Sequence, residues 1–174
     1  EGRAKAALTA IAAQLEKLVQ KGKVTDEARA ATMKNLSVGP TARDVAEGAD
    51  LVIEAAPEDM ELKVSLFAEV SKSASPSAIL ASNTSSLSIT ELGRRVGAPD
   101  RTIGLHFFNP PPVMELLEVV RGLGTSEATI EQSLAFARGL GKTPILVRDV
   151  PGFATSRLGV ILGCEAMRML ESGV

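Results

Sequence analysis

Tryptophan and tyrosine do not occur in this chain, and five phenylalanines leave it with only 3% aromatic residues. Proteins that bind single-stranded nucleic acid stack bases on such rings, and that platform is missing. Positive charge does not replace it. Nineteen basic residues against 21 acidic ones give a net charge of −2, and the basic residues are scattered rather than gathered into a stripe. No nucleic-acid partner is expected. The single cysteine, Cys164, rules out a disulfide framework within the chain and a Cys/His zinc cluster, so no metal is expected and a reducing, cytoplasmic compartment fits. No apolar run reaches the roughly twenty residues needed to span a bilayer, and the start carries no signal-peptide pattern, so no membrane partner is expected either.

What is present suffices for an ordinary domain. A chain of 174 residues with 45% hydrophobic content buries roughly two-thirds of the surface its unfolded form exposes. Leu8, Ile11, Leu15, Leu18 and Val19 recur at helical spacing, and a second helical segment runs from Asp26 to Leu36, separated from the first by Gly22. The run 49–56 is short and apolar, as expected for a strand covered on both faces. Asp59 is placed to cap a helix that carries Leu62, Leu66, Phe67 and Val70 on one side. Further strands are predicted at 78–81, 102–106, 116–120 and 143–147, with helices between. Ser88 and Glu91 have the spacing of a capping box, and three prolines at 110–112 force an extended loop. Residues 126–140 form another helix, and after Pro151-Gly152 the pattern becomes a single apolar helix.

Strands interleaved with helices of this length argue for an α/β fold, a mostly parallel sheet with helices on both faces. Ligands of such sheets sit beyond the carboxyl ends of the strands. Three clusters lie at such ends: Ala55-Ala56-Pro57-Glu58, Ser82-Asn83-Thr84-Ser85-Ser86, and His106-Phe107-Phe108-Asn109. His106 is the only histidine in the chain. An imidazole is the side chain that titrates near neutral pH without help, and a carboxylate in reach, here Glu118, fixes its tautomer and raises its basicity. The pair points to acid–base chemistry, although a single histidine at a strand end also has an ordinary structural use.

Residues 81–87 (Ala-Ser-Asn-Thr-Ser-Ser-Leu), the His106-Phe107-Phe108-Asn109-Pro110 run with Pro112-Val113-Met114, the Leu117-Glu118-Val119-Val120 strand and Asp149-Val150-Pro151-Gly152-Phe153 closely resemble the NAD-dependent 3-hydroxyacyl-CoA dehydrogenases. The likeness covers nearly the whole chain, with the motifs in the family's order and spacing. It implies a Rossmann-type dinucleotide-binding domain over residues 1–150, followed at 151–174 by the first helix of an all-α substrate and dimerisation domain. It also implies NAD as cofactor, oxidation of a (3S)-3-hydroxyacyl-CoA to the 3-ketoacyl-CoA as the reaction, and a homodimer as the full-length protein. By the same resemblance His106 is the general base, Glu118 the carboxylate that orients it, and Ser85 the hydroxyl that holds the substrate's 3-oxygen. Ala55, Glu58, Lys63 and Asn109 match positions along the bound NAD. Glu58 and Lys63 also read as ordinary helix-end chemistry. Lys21 matches a lysine that meets coenzyme A phosphates, and a solvated helix end explains it equally.

Two departures from the family pattern stand out. The family's fold opens with a strand, a G-x-G-x-x-G turn, a helix and a second strand ending in an acidic residue; none of these occurs here before the first helix. The glycine turn supplies the backbone N–H groups that cradle a pyrophosphate. The expectation is therefore a partial domain with exposed strand edges and an interior gap in its sheet, too incomplete on its own to bind NAD tightly or to be active. The second departure is Ser156, where many members carry an asparagine near the substrate oxygen; serine keeps a donor and an acceptor but reaches less far. A related hydroxy-acid dehydrogenase and a non-catalytic binding or structural module are the two other readings that the residues leave open.

Overall fold

The computed structural model of the protein describes residues 2–174. In chain order the elements are α1 (Gly2–Gln20), α2 (Asp26–Lys34), α3 (Ala42–Val45), β1 (Leu51–Glu54), α4 (Met60–Val70), β2 (Ile79–Ser82), α5 (Ile89–Val96), a 3-10 turn (Pro99–Arg101), β3 (Thr102–Phe107), β4 (Leu116–Arg121), α6 (Glu127–Gly139), β5 (Thr143–Arg148) and α7 (Thr155–Glu171). The five strands form one sheet in the order β1-β2-β3-β4-β5. This is a Rossmann-like α/β fold.

Three of the four strand pairings are parallel; β3 and β4 are antiparallel. The exception follows from the connection. A parallel return needs a crossover of a dozen or more residues, whereas the short proline-rich segment after Phe107 permits only reversal. The antiparallel register sets His106 directly opposite Glu118, and this pairing builds the site. The interior gap expected from sequence is not found. Each strand lands beside its predecessor, so the described strands pair continuously. What is open is an edge: β1 is shorter than the predicted run, its Ile53 is exposed, and an apolar groove of about 330 Å³ lies against Leu51, Ile53 and Ala55. A strand covered on both faces was the wrong expectation here.

Alternation along the inner strands distributes the core. Leu80 packs with Phe67 and Val70 of α4 and Leu92 of α5, while Ile79, Ala81, Ile103, Leu105, Leu117 and Val119 pack with Ile130 and Ala137 of α6. Helices therefore cover both faces, and burying each large aliphatic side chain contributes about 1.5–3 kcal/mol. The other side of β3 and β4 belongs to Gly104, His106, Glu118 and Val120. A Cβ on Gly104 would stand 2.7 Å from Val120 Cβ and 3.2 Å from Ile89 Cδ1, so glycine there lets the start of α5 lie close to the sheet.

The helix ends follow local chemistry. Asp59 accepts from Leu62 N at 2.9 Å and caps α4. The predicted capping box of α5 is half formed. Ser88 Oγ accepts from Glu91 N at 3.1 Å, but the Glu91 carboxylate pairs with Arg94. α7 buries no residue, and Leu158, Ile161, Leu162, Met167 and Leu170 are exposed along it, as is Cys164. α1 and α2 likewise bury none. Among the described residues no helix is long and apolar enough to cross a membrane.

Candidate active site

His106 ends the apolar stretch of β3, and the residue is 6% exposed. Its Nδ1 lies 2.6 Å from Glu118 Oε2, and its Nε2 lies 3.1 Å from Ser85 Oγ. The Glu118 side chain has no solvent exposure, and an ionised carboxylate only accepts. Nδ1 therefore carries the ring proton and donates it to Glu118, which leaves the Nε2 lone pair facing the serine hydroxyl. That is the arrangement of a general base aimed at a hydroxyl.

Glu118 is held from a second direction. Ala154 N and Thr155 N donate to Oε1 at 3.1 and 3.0 Å, and Thr155 Oγ1 donates to Oε2 at 3.0 Å. These donors come from the start of α7, where unpaired N–H groups and the helix dipole favour a negative charge. Burial pushes the Glu118 carboxyl up, but the bonds from His106, Thr155 and Ala154 outweigh it and hold the group below the usual carboxylate range. The preceding turn has Gly152 at φ +73° and Phe153 at φ +49°. A left-handed phenylalanine costs about 1–3 kcal/mol; here the strain turns the buried ring towards His106, 5.8 Å away centroid to centroid. Phe108 lies 4.8 Å from the same imidazole.

A clamp on the loop after β2 presents Ser85. Glu58 Oε1 accepts from Ser85 N at 3.1 Å, from Ser86 N at 3.2 Å, from Ser86 Oγ at 3.1 Å and from the Thr84 hydroxyl. Burial raises the Glu58 carboxyl, and these bonds together with the Lys63 charge bring it below its ordinary value. Asn83 Oδ1 accepts from Phe107 N at 2.9 Å and ties the loop to the end of β3. Asp149 accepts from Ser88 Oγ at 2.7 Å, Ile89 N at 3.1 Å and Thr90 N at 2.8 Å, joining the start of α5 to the turn that leads into α7.

Lys63 lies at the base of this clamp, fully buried. Its Nζ is 2.8 and 3.0 Å from the Glu54 oxygens, 3.1 Å from Ala56 O and 3.6 Å from Glu58 Oε2. Glu54 in turn accepts from Ser82 Oγ at 2.7 Å and from Ala56 N. An ammonium removed from water needs such partners on every side, so Lys63 braces the rim from beneath.

The structure thus brings His106, Glu118 and Ser85 together, with Glu58 one bond behind Ser85 and Lys63 behind Glu58. Ala55 is exposed on the same rim. Asn109 follows the β3 end, exposed, at a cis bond to Pro110. Ser156 is half-buried in the first turn of α7, and its hydroxyl makes no bond to the imidazole, to Ser85 or to Glu118. Lys21 is exposed past the end of α1 and makes no bond to the other site residues. Sequence reasoning missed Thr155 and Asp149 as contacts, and Glu54 as the partner of Lys63; the only signal for Glu54 was a charge closing an apolar strand. Among the described residues no cluster of His, Cys, Asp or Glu could hold a metal ion.

Sheet and site together define a nucleotide-binding type of α/β domain with an acid–base pair at its carboxyl rim. Residues 1–150 match the family model described as the 3-hydroxyacyl-CoA dehydrogenase, NAD binding domain, and the chain belongs to that family. A probable 3-hydroxybutyryl-CoA dehydrogenase of Bacillus subtilis is 42% identical over 98% of this chain and 59% of its own length. A 3-hydroxyadipyl-CoA dehydrogenase of Escherichia coli is 42% identical over 97% of this chain and 35% of its own length. The crystal structure of (S)-3-hydroxybutyryl-CoA dehydrogenase from Ralstonia eutropha superposes with a TM-score of 0.93 at 37% identity, covering 99% of this chain and 61% of that one. The chain therefore spans between a third and three-fifths of the length of these relatives.

Proposed function

We propose that the protein to which this chain belongs oxidises (3S)-3-hydroxyacyl-CoA to 3-ketoacyl-CoA with NAD. The observation that carries this reading is the Nε2 of His106 standing 3.1 Å from Ser85 Oγ while Nδ1 is bound to a buried carboxylate. The names of the three relatives given above, each a 3-hydroxyacyl-CoA-type dehydrogenase, supply the substrate class.

The rim fits the cofactor. Every hydrogen bond to Glu58 lands on Oε1, while Oε2 has only the longer pairing with Lys63 and retains acceptor capacity for a ribose hydroxyl. Ala55 leaves the adjacent rim open, and the exposed Asn109, three residues after His106, offers an amide donor and acceptor. Lys63, whose protons all point at protein oxygens, serves the cofactor by placing Glu58. When bound, NAD accepts the hydride that leaves C3 of the substrate.

The chain's own residues handle the proton. Ser85 Oγ donates to or accepts from the substrate's 3-oxygen and keeps it beside Nε2. As C3 loses hydride, Nε2 takes the hydroxyl proton, a carbonyl forms, and the resulting imidazolium is stabilised by Glu118 across 2.6 Å. In the reverse direction the same nitrogen returns the proton. Ser156 sits one residue beyond Thr155 and contacts the substrate through water. Lys21 meets the coenzyme A phosphates. The same reading makes the protein a cytoplasmic homodimer, which the exposed apolar side chains of α7 and the lone reduced cysteine support. The test is steady-state kinetics on the complete polypeptide: acetoacetyl-CoA should be reduced with NADH much faster than free 3-hydroxy acids are oxidised with NAD. The reverse preference would overturn the substrate assignment.

A further inference from the structure

Glu118 could have been held by backbone alone, since Ala154 N and Thr155 N already occupy its Oε1. The structure adds a side-chain hydroxyl. Thr155 Oγ1 donates at 3.0 Å to Oε2, the same oxygen that accepts the His106 Nδ1 proton at 2.6 Å. Two donors therefore share the charge of one oxygen. Withdrawing the hydroxyl leaves the carboxylate in place, because the Oε1 pair remains, and gives His106 sole use of the Oε2 charge.

We propose that Thr155 is a positioning residue that sets the basicity of His106 through the shared Oε2 of Glu118. This rests on His106 acting as the base of the dehydrogenase reaction above. Hydroxyl donation spreads the carboxylate's charge, so the imidazolium gains less from it, and the base stays deprotonated to lower pH. Of the other ionisable groups near in the fold or the chain, Glu58 is joined to the pair through Ser85, Asp149 bonds the start of α5, and Arg157 follows Thr155 by two residues in α7. None of them donates to Glu118, whose bonds come from His106, Thr155 and Ala154. The hydroxyl is thus the one side-chain control on that oxygen besides the imidazole itself.

The experiment uses the complete polypeptide carrying Thr155→Val, which keeps shape and removes the hydroxyl, and Thr155→Ser, which keeps the hydroxyl. Two readouts are taken: the pH dependence of kcat/KM for 3-hydroxybutyryl-CoA oxidation, and the imidazole titration followed by nitrogen-15 NMR, with the His106 signal identified by its loss in His106→Gln. Thr155→Val should move the acid limb and the titration midpoint upward together by about half to one pH unit, and Thr155→Ser should restore both. If the valine variant does not fold, Thr155→Ala must show the same displacement. Unmoved midpoints in the hydroxyl-free variants, or a serine variant that behaves like valine, would overturn the proposal. A wild-type polypeptide that titrates normally but does not turn over acyl-CoA would defeat the functional reading instead, with the NMR comparison still deciding the role of Thr155.

Discussion

Replacing Glu118 with glutamine keeps the outline of the side chain while exchanging two acceptors for one acceptor and one donor. The carboxylate accepts four bonds, from His106 Nδ1, Ala154 N, Thr155 N and Thr155 Oγ1. Glutamine has two ways to sit there. With its NH2 at the Oε1 position it faces two backbone N–H groups, and each buried donor left without an acceptor costs about 1–3 kcal/mol. With its oxygen at Oε1 the backbone donors are satisfied, the Thr155 hydroxyl rotates to accept, and the NH2 points at Nδ1. The imidazole must then accept at Nδ1 and carry its proton on Nε2, the nitrogen that faces Ser85. The second orientation is the cheaper one, and it removes the base. Turnover of the complete polypeptide on acetoacetyl-CoA should fall by about 10²–10⁴-fold, the usual range of general acid–base catalysis, with NADH affinity unchanged. Nitrogen-15 NMR should show the ring proton moved from Nδ1 to Nε2. Turnover within a few-fold of wild type, or an unchanged tautomer, would refute the reasoning.

Glu118 and Glu58 both have carboxyl groups held below their ordinary values, so their contribution to stability is fully present above the ordinary glutamate value of about 4.3 and is lost as pH falls through the lowered folded values. The denaturant midpoint should stay flat from neutrality to about pH 5 and decline below about pH 4, less steeply in Glu118→Gln; a decline already complete at pH 5 would contradict the assignment. Ser156→Asn should leave the protein folded and change KM or kcat for the 3-ketoacyl-CoA severalfold. A change in NADH dissociation constant with unaltered acyl-CoA kinetics would place Ser156 against the cofactor instead.

The His106–Glu118 pair was legible because both residues sit in apolar strand patterns and fall at the order and spacing of the family's motifs. The direction of β4 was harder to read, since a run such as Leu116–Val120 has the same composition in a parallel strand as in an antiparallel one. Thr155 was hidden for a different reason. A threonine at the start of a helix ordinarily caps its own backbone, and nothing local says that this one reaches back to β4. For Lys63 the resemblance implies a place along the bound NAD and the local pattern a helix-end charge, and neither shows its burial, which depends on Glu54, on another element, and on the depth at which α4 meets the sheet. The Asp149 clamp likewise joins segments far apart in sequence. Gly122 and Gly124, in the turn between β4 and α6, serve packing: a Cβ on Gly124 would lie 2.7 Å from Pro99 Cβ, and one on Gly122 would lie 3.2 Å from Thr90 N. Close approach of that kind cannot be read from glycine spacing.

The central claim is that His106 is the proton acceptor of an NAD-dependent 3-hydroxyacyl-CoA oxidation. Its most direct test is His106→Gln in the complete polypeptide, with turnover on acetoacetyl-CoA and the NADH dissociation constant measured on the same preparation. The account predicts a fall in turnover of about 10²–10⁴-fold with the NADH constant unchanged; near-normal turnover, or a loss explained entirely by weaker NADH binding, would contradict it.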